Sequence, residues 1–131
     1  MPKLDSIIKD VVGGNTLLIM RVLQKIPAGE HLTDAWFTIK KRKDDDDTSS
    51  VIDKAITTTP SDVGQITDDG TTTPGQGAVK FFLTEADTLK LKENQKWYFS
   101  IKFKTDGSPN TINTPELGII TVKDPVRVSS T

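Results

Sequence analysis

The chain has 131 residues, 34% of them hydrophobic, and 17 Lys+Arg against 18 Asp+Glu give it a formal net charge of −1. That length fits one domain, 1–131, with a thin core, and the charge balance provides no basic field for nucleic acid. The absence of Cys removes disulfides, thiolate metal sites and thiol catalysis, and a single His, His31, removes histidine-rich metal centres.

The longest apolar run, Leu17 to Met20, falls far short of the roughly 18 residues of a membrane span. The opening residues Met1 to Asp5 lack the apolar stretch of a signal peptide. Composition therefore predicts a soluble, non-secreted domain with neither a membrane nor a nucleic acid as partner. Eighteen Thr and eight Ser lean the chain toward strands and turns and away from a helical bundle.

In chain order, Ser6 to Val12 reads as an opening strand that ends at Gly13-Gly14. Leu17 to Leu23 is apolar apart from Arg21, so its inward face is ambiguous; a strand covered on both sides, or a bulge, accounts for such a run. Ala35 to Lys40 alternates, with Ala35, Phe37 and Ile39 on one face and Trp36, Thr38 and Lys40 on the other. Val51 to Thr57 is rich in β-branched residues, and Gly64 to Thr67 reads as a short rung before the turn at Asp68-Asp69-Gly70. Val79 to Leu83 places Val79, Phe81 and Leu83 together. Thr84 to Leu89 is the one helical segment, with Thr84 placed to cap the amide of Asp87. Trp97 to Lys104 has period two over eight residues, its odd positions all large and apolar. Leu117 to Val122 reads as the last strand, stopped by Pro125.

Strands parted by turn residues over a hundred positions predict an all-β sandwich or small barrel. The expected core is Phe37, Ile39, Val79, Phe81, Leu83, Leu89, Trp97, Phe99, Ile101, Phe103, Ile120 and Val122.

No catalytic constellation emerges. His31 has Glu30 and Asp34 nearby but no nucleophile in its loop, and reads as an exposed loop histidine. Asp44, Asp45, Asp46 and Asp47 are consecutive, with neither the Gly nor the closing Glu that a calcium loop requires. They follow Lys40, Lys41, Arg42 and Lys43, so the two blocks screen each other in a hairpin tip, the alternatives being an adventitious cation or an electrostatic contact with a neighbouring subunit. Asp68-Asp69-Gly70 reads as a turn, not as a pair of catalytic acids. No phosphate-binding glycine loop and no loop with the spaced oxygens of a calcium site occurs, so neither a cofactor nor a metal is expected. Trp36 and Tyr98 are predicted to face outward from strand interiors, as interface aromatics or as platforms for a sugar.

Five pieces occur in a recognisable order. They are Gly14-Asn15-Thr16 before an apolar strand, Ala35 to Lys41 running into Asp44 to Asp47, and Gly77 to Thr88 with its Leu-Thr-x-x-Asp-Thr ending. The aromatic strand closing on Asp106-Gly107 follows, and then Val122 to Val126. Over residues 12–126 this order resembles the immunoglobulin-like domain of bacteriophage virion proteins, typified by the N-terminal domain of baseplate upper proteins. The resemblance implies an immunoglobulin-like antiparallel β-sandwich of seven or eight strands with one short helical turn near 84–89. It also implies a non-enzymatic structural role in a virion, as a capsid decoration or cement, neck, tail or baseplate component present in many copies. The alternative is a carbohydrate- or surface-binding module, with a host glycan as ligand. Expected assembly contacts are Trp36, Tyr98, Lys41, Arg42, Lys43 and Asp44 to Asp47, together with the 57–77 excursion and flexible ends at 1–9 and 125–131. Little apolar area is expected to remain outside the core, so these contacts should be polar.

Overall fold

The structure, a computed structural model, describes residues 4–12, 15–41, 50–73, 75–91 and 96–123. Within them lie β1 (Leu4–Val12), β2 (Leu17–Gln24), β3 (Leu32–Lys40), β4 (Ile52–Ile56), β5 (Gly64–Asp68) and β6 (Gln76–Leu83). Helix α1 (Glu85–Leu89) follows, then β7 (Lys96–Thr105) and β8 (Ile112–Lys123). Each strand read from the sequence is present, with ends displaced by a few residues at most of them.

The strands form two sheets, one of five in the order β1-β8-β7-β3-β4 and one of three in the order β2-β6-β5. The chain changes sheet after β1, β2, β4 and β6, so strands adjacent in sequence often lie in opposite layers. Strands β8-β7-β3-β4 follow the G-F-C-C′ order of an immunoglobulin-like domain, and β2-β6-β5 follow its B-E-D order. The fold is an all-β, immunoglobulin-like sandwich.

One pairing corrects the antiparallel expectation: β1 runs parallel to β8. Because β2 begins in the other sheet, β1 has no hairpin partner. The rest of the domain serves as the long crossover that parallel strands require. Residues 4–9, expected at a flexible end, lie in this strand through main-chain pairing, while residues 125–131 lie outside the described residues.

The core lies between the sheets. Phe37, Phe81, Phe99 and Phe103 are fully buried there, with Ile39, Ile101 and Ile120 beside them. The alternation of β7 sets its odd positions inward, as its sequence predicts. Leu89 corrects the expected core, since it is 63% exposed. The helix turns Asp87 and Thr88 inward instead, and Leu91 just after it fills the place expected of Leu89.

Two ion pairs hold the layers in register. Arg21 of β2 occupies an inward position because its Nε meets Glu116 Oε1 of β8 at 2.9 Å, across the sandwich. Lys54 of β4 meets Asp87 Oδ2 of α1 at 2.6 Å, with both side chains largely buried. The Asp87 carboxylate also accepts a hydrogen bond from the Thr84 amide, and the Thr84 hydroxyl accepts one from the Asp87 amide, completing a capping box.

Candidate functional site

Three surfaces carry side chains that the core does not use. The first is the outer face of the three-stranded sheet. In β2, Ile19 and Leu23 are buried, while Leu18, Met20 and Val22 are 46%, 63% and 56% exposed. The ladder to β6 sets Leu18 opposite Phe82, Met20 opposite Lys80 and Val22 opposite Ala78. Phe82 is 36% exposed, and Lys80 Nζ lies 5.7 Å from the centre of its ring.

On β5, Gln65 opposes Lys80, and the Thr67 hydroxyl donates to the Ala78 carbonyl. A shallow apolar depression of about 160 Å³ runs between Met20, Val22, Thr67 and Ala78. Scattered exposed apolar residues are ordinary, but a contiguous group on one sheet face marks a contact surface. This face corrects the expectation that little apolar surface is left over. Its signal is visible in the sequence as the run Leu17 to Leu23, apolar at odd and even positions alike.

The second surface is the outer face of the five-stranded sheet, where Trp36 and Tyr98 both lie. Trp36 opposes Lys102, Thr38 opposes Ser100, and Lys40 opposes Tyr98, so the two aromatics are two rows apart. That is roughly 13 Å at the usual strand rise. Trp36 lines a depression of about 220 Å³ with Thr38, Asp53, Ser100, Lys102 and Ile112. Tyr98 is half-buried beside Ile119 and takes no part in it.

The hollow forms where β8 bulges. Ile101 and Phe103 of β7 face Glu116 and Asn113 of β8, so two residues of β8, Thr114 and Pro115, stand against one of β7, Lys102. Pro115 sits in this bulge, which is how a proline is tolerated in a strand of twelve residues.

The third surface is the end of the sandwich around His31. The Asp106 carboxylate accepts a hydrogen bond from the His31 amide at 2.8 Å, and its other oxygen lies 3.6 Å from the ring Nδ1. The histidine's carboxylate partner is therefore Asp106, from a loop distant in sequence. Of the two expected neighbours, Glu30 accepts from the Thr105 hydroxyl and Asp34 from the Thr33 hydroxyl.

Asp69 accepts from both the amide and the hydroxyl of Thr71, and that hydroxyl bond is the main cause holding its carboxyl below the usual range. The Leu32 amide donates to the Asp69 carbonyl at 2.9 Å, so the loops before β6 and after β7 are both tied to the chain entering β3. Among the described residues no group of three or more His, Asp or Glu could hold a metal ion.

Of the remaining expected contact residues, Lys41 is exposed just past the end of β3, and Arg42, Lys43, Asp44, Asp45, Asp46 and Asp47 lie outside the described residues. The 57–77 excursion contains β5 and so builds one edge of the smaller sheet. Among the described residues, no helix is long and apolar enough to cross a membrane. Comparison with family models, with curated proteins and with solved structures returns no match.

Proposed function

We propose that the chain is a structural protein of a bacteriophage virion that works by docking on other virion proteins and not by catalysis. The observation that carries the docking part is the exposed apolar face of Leu18, Met20, Val22, Ala78 and Phe82. The virion part rests on the order of sequence pieces described above, which resembles the immunoglobulin-like domains of phage particles.

The occupant of the face is a different protein, not a second copy. Lys80 stands in the middle row, opposite Met20, so pairing the face with itself about its centre would bring two ammonium groups together. A neighbour with an apolar patch and a carboxylate placed for Lys80 matches it. Burial of Met20, Val22 and Phe82 would then supply most of the contact, with the carboxylate fixing orientation.

Mass spectrometry of purified particles, made with the wild-type chain and with Met20→Glu, tests the reading. The wild-type chain should be found in the particle in many copies, and Met20→Glu should be lost from it while remaining folded in solution. Absence of the wild-type chain from particles sinks the virion assignment. Incorporation of Met20→Glu at the wild-type copy number sinks the assignment of the face.

A further inference from the structure

We infer that the hollow on the outer face of the five-stranded sheet is a binding site for a saccharide, sized for one sugar ring and centred on Trp36. It lies on the opposite side of the molecule from the apolar face, so it stands apart from the docking role.

Several features of the hollow converge on this chemistry. A sugar ring presents an apolar face of C–H groups and a rim of hydroxyls. It therefore needs an aromatic wall beside groups that accept and donate hydrogen bonds. Trp36 and Ile112 supply the apolar wall, and Asp53 supplies a carboxylate acceptor. Thr38 and Ser100, paired across the β3–β7 ladder, supply hydroxyls, and Lys102 adds a charged donor.

The hollow's volume, about 220 Å³, falls below the roughly 300–1,000 Å³ of sites for drug-sized ligands and suits a small polar one. One acid and one base in its lining leave no net field to attract a phosphate, which sets a saccharide ahead of a nucleotide.

The site is also built on rigid parts. Trp36, Thr38, Ser100 and Lys102 lie on paired interior strands, and Thr38 is only 7% exposed. The β8 bulge sets Thr114 and Pro115 together against Lys102 at the border of the hollow. Such bulges occur beside binding sites more often than elsewhere in sheets.

The test is a two-dimensional amide and indole NMR titration of the full chain with glucose, galactose, rhamnose, N-acetylglucosamine and, separately, adenosine monophosphate. At least one sugar should move the Trp36 indole signal and the amides of Ser100 and Lys102 in the millimolar range, leaving Met20 and Val22 unmoved. Asp53→Asn, on a strand exterior and expected to fold, should weaken that binding by about tenfold or more, as loss of a hydrogen bond to a charged group implies. Trp36→Ala should abolish it, and its unchanged core signals serve as the folding control. Met20→Glu should bind the sugar like the wild type, whatever its fate in particles. No shift at Trp36 with any of the sugars overturns the inference. So does a response confined to adenosine monophosphate, or sugar shifts that persist unaltered in Asp53→Asn.

Discussion

Phe37 touches two other rings, Phe81 across the sandwich at 5.5 Å between centroids and Phe99 on the neighbouring strand at 5.7 Å. Removing one ring of this trio leaves a cavity that the two sheets cannot collapse around. Phe99→Ala should therefore cost about 3–5 kcal/mol, measured by denaturant unfolding, and a cost under about 1 kcal/mol would mean that the rings are not the core. A different residue-scale test concerns Asp87. Burial, the largest single influence, pushes its carboxyl up, but the Lys54 ammonium and the Thr84 amide together more than offset it and hold it below its ordinary value of 3.8. A carboxyl held low in the fold contributes stability that is complete above its unfolded value and is lost as pH falls through the folded one. The melting temperature should thus drop as pH falls below about 4, and Asp87→Asn should show a smaller drop from a lower starting point. At neutral pH that variant leaves the Lys54 charge largely buried without its partner, at a cost on the order of 3 kcal/mol. An Asp87→Asn profile parallel to the wild type would show that other carboxylates govern acid unfolding.

At the scale of elements, β5 depends on a single glycine. Gly64 has φ +138, and a Cβ there would collide with the main-chain oxygen of Lys80 on β6. Gly64→Ala should therefore cost on the order of 2–3 kcal/mol and detach β5 from β6, read as faster amide exchange at Phe82, whose N–H donates to the Val63 carbonyl beside Gly64, with β7 unaffected. Unchanged protection at Phe82 would refute the steric argument. Element existence was legible in the sequence wherever period two was clean, as in β3 and β7, because half-buried strands write their two faces into alternate residues. It was also legible for α1, whose Thr84 and Asp87 spell out its cap. Orientation was not legible for β2, because a run that is apolar at every position names no inward face. Only the structure separates Ile19 from Met20. The inward position of Arg21 was hidden for a similar reason, its partner Glu116 lying in another sheet. Leu89 was misplaced because a five-residue helix has too few positions to show a stripe. The candidate sites divide in the same way. Trp36 could be named from its strand, but Asp53, Ser100 and Ile112 join it only through pairing between segments distant in the chain.

For the whole molecule, the two outer faces should behave independently of the core. Met20→Ser exchanges a mostly exposed thioether for a hydroxyl and should alter stability by no more than about 0.5 kcal/mol, which thermal unfolding can check. A larger loss would mean that this face is already covered within the chain's own fold. The parallel union of β1 and β8 has a consequence in time. As the chain is synthesised, β1 emerges first and its ladder partner last, since Leu4 pairs with Leu117. Until then the flank of β7 destined for β8 is bare, and the five-stranded layer cannot close. Pairings this distant place the domain among slow folders, with refolding in milliseconds to seconds. A nascent chain halted before Ile112 would present two unmatched edges at once, the kind of surface on which aggregation begins.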